Sequence, residues 1–290
     1  MNIDNDKIKK YVNILNGKYS CVDLFEKIAK SPETFYTKFT QFSILEKINA
    51  ATLQSRQIRF GNSIQKCYEE IFNDFGYLSL NKNLISPSGE KLEADILLEK
   101  DNNIFLIEMK IADNHDADKK RSSNFENKLK ALLKLHKNEN IYATIFFVKN
   151  LDKNNKNKTH YQNNINYLRS TLNVNVCLSY EKDIFDFLNI QNGQAYIDKS
   201  LSMFDQTKEA CFCLDFDVNY QETASQILNA FGKQKTSKYL FNMFNNKHTL
   251  EKVFPIIFPN GNALKELNQY CAKPSLANSI DKYCRSRNGI

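Results

Sequence analysis

Two short apolar runs separated by turn residues constrain the fold of this chain more than any other feature. The runs cover residues 96–98 and 104–107, and Asp101, Asn102 and Asn103 lie between them. Asp and Asn favour turns because their short polar side chains bond to the nearby backbone. The pattern therefore predicts a β-hairpin.

Three charged residues border the apolar runs at the end of the hairpin that is farthest from the turn. Asp95 precedes the first run, while Glu108 and Lys110 come at the end of the second. Side chains alternate between the two faces of a strand, so Glu108 and Lys110 share one face, and Asp95 can approach it from the partner strand. Charges at such positions are costly unless they are paired or bind an ion. Two carboxylates and a lysine around one point suit a divalent cation and a phosphate group.

Length and composition limit the class of protein. The 290 residues allow one large domain or two small ones, and 42% apolar residues are enough for a substantial core. The low counts of Gly (8) and Pro (5) argue against collagen-like and disordered classes. The net charge of +7 is compatible with a polyanionic partner, although a lysine-rich composition also arises from AT-rich coding.

The cysteines and the N-terminus indicate a cytoplasmic location. The seven cysteines form no C-x-x-C pair, so we interpret them as reduced thiols rather than as a zinc site. The first residues lack a basic segment followed by an apolar one, and no apolar run approaches the roughly 20 residues of a membrane span. We therefore expect no membrane partner.

Helices and strands are predicted on both sides of the hairpin. A helix over residues 63–75 precedes it, ended by Gly76. A second helix, over 123–137, places Phe125, Leu129 and Leu132 on one side and the lysines opposite. Residues 141–148 are apolar on both faces, as in a central or parallel strand. These elements predict an α/β core in which helices flank a central mixed sheet.

This pattern predicts that the chain is divided into three segments. Residues 1–57 are predicted to be a helical N-terminal segment, and residues 58–190 to form the α/β core. Residues 191–290 read as a mainly helical C-terminal region with no internal repeat.

The order helix, strand, charged hairpin, helix, strand resembles the PD-(D/E)xK nuclease superfamily, and within it the type II restriction endonucleases. The resemblance covers roughly residues 58–150; Asp95 matches the motif aspartate and Glu108-Met109-Lys110 the (D/E)-x-K element. Ala94 stands where the name-giving proline would be. The resemblance implies a restriction-endonuclease-like core in which Asp95 and Glu108 bind Mg²⁺ and Lys110 activates or orients the attacking water. The alternative is an ordinary salt bridge on a half-exposed sheet.

Further site residues are suggested by the same resemblance. Many of these nucleases place a glutamate four residues after a glycine that opens the first core helix, and here Gln65 follows Gly61. Gln65 could bind a metal-bound water through its amide oxygen, and Glu69, one turn later, could substitute. Beyond the hairpin we predict phosphate contacts from basic residues of a polar loop: Lys119, Lys120 and Arg121.

The resulting hypothesis is a Mg²⁺-dependent type II restriction endonuclease that acts on double-stranded DNA at a short specific sequence. A palindromic site calls for a homodimer, and residues 191–290 would serve DNA recognition or dimerisation. Two alternatives stay open: a DNA repair or junction-resolving nuclease with the same core, and a non-catalytic DNA-binding protein. Because a binding module has no need of charges inside a strand, the hairpin favours an endonuclease.

Overall fold

The computed structural model describes residues 4–15, 21–35, 42–110, 118–149, 156–207, 215–271 and 273–287. The α-helices of this part of the chain are α1 (Asn5–Leu15), α2 (Cys21–Lys30), α3 (Ile44–Asp74), α4 (Asp118–Leu135), α5 (Lys156–Leu172), α6 (Asp183–Phe187), α7 (Gly193–Thr207), α8 (Tyr220–Phe244), α9 (Phe254–Ile257), α10 (Asn262–Asn268) and α11 (Pro274–Arg287). A 3-10 turn covers Pro32–Phe35, and a π-helical turn covers Thr249–Val253. None of these described helices combines the length and the apolarity that a membrane span needs.

The strands are β1 (Leu78–Ser79), β2 (Asn83–Ile85), β3 (Lys91–Glu93), β4 (Ile96–Lys100), β5 (Asn103–Lys110), β6 (Asn140–Phe147) and β7 (Asn175–Tyr180). Five of them form one sheet in the order β1-β4-β5-β6-β7, and β2 pairs with β3. The pairs β1/β4 and β4/β5 are antiparallel, whereas β5/β6 and β6/β7 are parallel. This confirms the predicted mixed sheet, with β5 as its middle strand.

The chain divides into two compact units. The first comprises Met1–Asn16 and Gly61–Lys208, and the second comprises Gly17–Phe60 and Glu209–Ile290. The boundary near residue 60 falls inside α3. Of the predicted N-terminal segment, residues 1–57, the first 16 residues belong to the first unit and the rest to the second.

The predicted β-hairpin is formed by β4 and β5. Lys100 pairs with Asn103, so the turn consists of Asp101 and Asn102 alone and Asn103 belongs to the strand. Both turn residues have positive φ, 50° and 63°. This conformation suits a tight hairpin because its backbone twist matches that of the flanking strands, and Asp and Asn tolerate it.

The two faces of the sheet in the first unit pack against different elements. On one face, Leu106 of β5 shares a buried cluster with Leu129 of α4 and Ile165 of α5. On the other face, Phe146 of β6 contacts Tyr68 of α3 edge to face, with ring centroids 5.1 Å apart. Glu108 and Lys110 follow Leu106 at intervals of two residues, so they belong to the face that α4 covers.

Helix α3 begins much earlier than predicted. It starts at Ile44, so Gly61 lies in its interior rather than at its start. Residues 44–60 contain no proline, and a single interior glycine costs only about 1 kcal/mol relative to alanine. The predicted end is confirmed at Gly76, which has φ 85° and lets the Tyr77 N–H donate to the Phe72 carbonyl. Helix α4 also begins before the predicted Ser123, at Asp118.

The second unit is helical, as predicted for the C-terminal region. Its buried core includes Phe25 of α2, Leu240 of α8, Leu264 of α10 and Ile280 of α11. Helix α8 bends at Gly232, where φ is 69° and ψ is 166°.

A buried carboxylate fixes the start of α10 in this unit. Asp217 is 6% exposed and accepts three backbone N–H groups. Asn260 and Gly261 donate to Oδ2 at 2.8 and 2.7 Å, and Ala263 donates to Oδ1 at 2.7 Å. A negative charge at this position also complements the N-terminal end of the helix.

We expect Asp217→Asn to destabilise the chain by about 2–4 kcal/mol, because an amide cannot accept from all three donors and carries no charge. Urea unfolding of the full chain measures this loss. Asp281→Asn changes an exposed aspartate of α11 in the same unit, and its effect is expected to stay within about 0.5 kcal/mol. Equal losses in the two variants would contradict the assigned role of Asp217.

Candidate active site

The structure brings Asp95, Glu108 and Lys110 together in the first unit. Ile96 pairs with Ile107, so Asp95 and Glu108 meet at the next position along the hairpin. The Met109 N–H donates to Asp95 Oδ2 at 2.8 Å. The backbone of the middle strand therefore holds the Asp95 side chain in place.

The Glu108 carboxylate is held by two lysines. Lys110 Nζ lies 3.1 Å from Oε1, and Lys128 Nζ lies 2.6 Å from Oε2. The Glu108 and Lys110 side chains are 15% and 19% exposed, and that of Lys128 is 8% exposed. With Asp95, the set contains two acidic and two basic side chains in largely buried surroundings.

Sequence reasoning missed Lys128. The prediction that the lysines of this helix lie opposite its apolar side is wrong for this residue. Lys128 comes three positions after Phe125 and four before Leu132, both of which are buried on the core side of α4. The signal that could have identified it is a lysine at the same helical spacing as the buried apolar residues.

The two carboxyl groups titrate differently. Burial, and then the neighbouring negative charge of Glu108, raise the pKa of Asp95 above its ordinary value. Burial alone would raise the pKa of Glu108 as well, but the positive charges and hydrogen bonds of Lys110 and Lys128 outweigh it and lower that pKa. Glu108 is therefore the more firmly ionised of the two.

The donor set fits a small divalent cation such as Mg²⁺. Within the described residues, Asp95 Oδ1 accepts no hydrogen bond, so one oxygen of this carboxylate has no competing partner. Mg²⁺ prefers oxygen ligands and is usually bound by one or two carboxylates together with water and substrate phosphates. Over the same residues, no group of three or more His, Cys, Asp or Glu comes together.

Gln65 and Glu69 occupy different surroundings on α3. The Gln65 side-chain amide donates to the main-chain oxygen of Asp95, so this residue contacts the site through the backbone. The Glu69 carboxylate instead forms an ion pair with Lys82, 2.6 Å away, and it does not join Asp95 and Glu108.

The predicted phosphate contacts fall at the N-terminal end of α4. The helix backbone includes Lys119, Lys120 and Arg121, but their side chains lie outside the part of the chain that the structure describes. Their role in binding DNA stays a prediction.

Comparison with known proteins identifies the segment that carries the site. Residues 70–203 match the family model of the type II restriction endonuclease HinfI. No curated protein matches the chain in sequence. The matched segment begins near the end of α3, contains the hairpin and α4, and ends in α7. Over these residues the chain is similar to the HinfI family of type II restriction endonucleases, which confirms the resemblance to restriction endonucleases of the PD-(D/E)xK type.

Proposed function

We propose that the chain is a Mg²⁺-dependent type II restriction endonuclease that hydrolyses phosphodiester bonds within a short specific sequence of duplex DNA. One observation carries the proposal: Asp95, Glu108 and Lys110 meet on the middle of the sheet, inside the segment that matches the HinfI family. A buried group of this composition is expensive for folding, so a function in catalysis accounts for it better than a structural one.

Asp95 and Glu108 are the residues that would hold the cation. When bound, Mg²⁺ would act as a Lewis acid that offsets the negative charge of the phosphate and promotes the loss of a proton from water. Asp95 is preorganised for this role, because the Met109 N–H orients its side chain and Gln65 holds its main-chain oxygen.

Lys110 provides a positive charge next to the two carboxylates. Its ammonium group donates to Glu108 Oε1 and has further protons to donate to an attacking water or to a phosphate oxygen. This charge would offset the negative charge that builds up on the phosphate during the attack of water.

The second unit offers a surface suited to reading DNA. Beyond the bend at Gly232, α8 exposes Gln234, Lys238 and Asn242, which follow one another at intervals of four residues and so share one face. None of the three forms a hydrogen bond or ion pair with another described residue. Gln and Asn bind adenine edges and Lys binds guanine, so this face suits a major groove, while Lys119, Lys120 and Arg121 would contact phosphates. A homodimer would present two such faces to a palindromic site.

Asp95→Asn and Lys110→Met are each expected to reduce plasmid cleavage in Mg²⁺ by about 100-fold or more, because the first removes the negative charge of a metal ligand and the second removes the positive charge at the phosphate. Timed digests followed on gels measure this rate. Glu99→Gln, on β4 of the same hairpin, is the control and is expected to cleave like the wild type.

The digest also separates the alternatives. Discrete bands that require Mg²⁺ support the restriction activity, whereas cutting only at branched DNA supports a junction-resolving enzyme and random cutting a repair nuclease. Binding without cleavage in any divalent metal supports a DNA-binding module. Full cleavage by Asp95→Asn would refute the assignment of the site.

Gln65 and Glu69 are expected to differ in their effect on the reaction. Gln65→Met should lower the cleavage rate at saturating Mg²⁺ by about tenfold, because the main chain of Asp95 loses a hydrogen-bonding partner. Glu69→Gln, which breaks only the ion pair with Lys82, should stay within about twofold of the wild type. The opposite order would indicate that Glu69 is the metal-site residue of this helix.

Lys238→Gln tests the surface on α8. If Lys238 neutralises a DNA phosphate or contacts a base, the variant binds duplex DNA more weakly and the slope of log affinity against log salt falls by about one. Fluorescence anisotropy in EDTA at several salt concentrations measures both quantities. Lys252→Gln removes another exposed lysine of the same unit and is expected to leave the slope unchanged. If both the affinity and the slope are unchanged in Lys238→Gln, this face does not belong to the DNA interface.

A further inference from the structure

The ion pair between Lys128 and Glu108 was given no role in the function proposed above, although it is the shorter of the two pairs that Glu108 forms. We propose that Lys128 is a positioning residue of the active centre that substitutes for the cation when Mg²⁺ is absent. The Lys128 ammonium group binds Glu108 Oε2 and balances the charge of that carboxylate. Its positive charge also lowers the affinity of the site for Mg²⁺. This inference rests on the proposed function for the identity of the cation.

The position of Lys128 indicates a purpose other than folding. Within the described residues, Lys128 is the one lysine that is buried, and its neighbours Phe125, Leu129 and Leu132 form the apolar side of α4. An apolar residue would satisfy this side of the helix without the cost of removing an ammonium group from water. The charge of Glu108, rather than the packing of the helix, therefore explains why a lysine stands at this position.

Charge balance gives Lys128 an effect on metal binding. Without a cation, the carboxylates of Asp95 and Glu108 face the two ammonium groups of Lys110 and Lys128, and Glu108 forms an ion pair with each of these lysines. A divalent cation that joins the set is attracted by the two carboxylates and repelled by the two ammonium groups. Removal of Lys128 leaves the metal-free set with an excess negative charge, so the metal-free protein loses stability while its affinity for Mg²⁺ rises.

The geometry gives Lys128 an effect on the orientation of Glu108. Lys110 reaches Oε1 from two residues along the same strand, whereas Lys128 reaches Oε2 from a helix twenty residues further along the chain. The two contacts come from separate elements and together fix the plane of the carboxylate. With Lys110 alone, the carboxylate is free to rotate, and the reaction slows even when Mg²⁺ is saturating.

Variants of the full chain test these two effects. Lys128→Met removes the charge, Lys128→Arg keeps it, and Lys134→Met removes an exposed lysine of the same helix as a control. Calorimetric titration with MgCl₂ in the absence of DNA measures the dissociation constant, and thermal unfolding in EDTA measures stability.

Lys128→Met is expected to lose stability in EDTA and to bind Mg²⁺ about tenfold more tightly than the wild type. Its cleavage rate at saturating Mg²⁺ should fall by about tenfold. Lys128→Arg should keep a wild-type affinity for Mg²⁺, and Lys134→Met should match the wild type in every measurement. A residue that serves only the fold would change stability and leave the affinity for Mg²⁺ where it was.

If Lys128→Met does not fold, Lys128→Gln, which keeps a hydrogen-bond donor without the charge, carries the same expectation of tighter binding. Unchanged or weaker Mg²⁺ binding in a folded neutral variant overturns the inference, as does the failure of both neutral variants to fold. A wild type that binds Mg²⁺ but cuts no DNA refutes the nuclease function and leaves the role of Lys128 standing. A wild type that binds no Mg²⁺ overturns the role of Lys128, whether or not DNA is cut.

Discussion

A buried carboxylate on the middle strand of a sheet is the constraint around which the candidate active site of this chain is organised. Glu108 loses most of its contact with water when β5 is covered, and such a charge is tolerated only where opposite charges lie close. Two lysines meet this need, one from the same strand and one from the helix that covers it. The pKa of Glu108 stays low in spite of burial for this reason, and the group keeps a negative charge that can hold a cation.

The remaining features of the fold bring other groups to this carboxylate. The two-residue turn at Asp101 and Asn102 fixes the register of the hairpin, and the register places Asp95 beside Glu108. A shift of one residue would turn Asp95 to the opposite face of the sheet. The packing of Leu129 into the core carries Lys128 to the same point from α4. The site is thus assembled from local turn chemistry and from one long-range helix contact.

The local part of this arrangement could be predicted from the sequence. Alternation and turn residues were sufficient for the hairpin, and the three charged residues stood out against its apolar pattern. Lys128 could not be singled out in the same way, because α4 contains several lysines and its exact rotation on the sheet depends on long-range packing. The start of α3 and the division into two units escaped prediction for a related reason. Residues 17–60 pack with residues 209–290, and sequence periodicity carries no information about such distant partners.

We infer that the site around Asp95 and Glu108 cuts DNA at a defined sequence with the help of Mg²⁺. Sequencing the ends of DNA fragments that the wild-type chain produces tests it most directly. Most ends are expected to share one short sequence with the cut at a fixed position, and EDTA is expected to abolish them. Ends spread evenly over all sequences, or unchanged in EDTA, would contradict it.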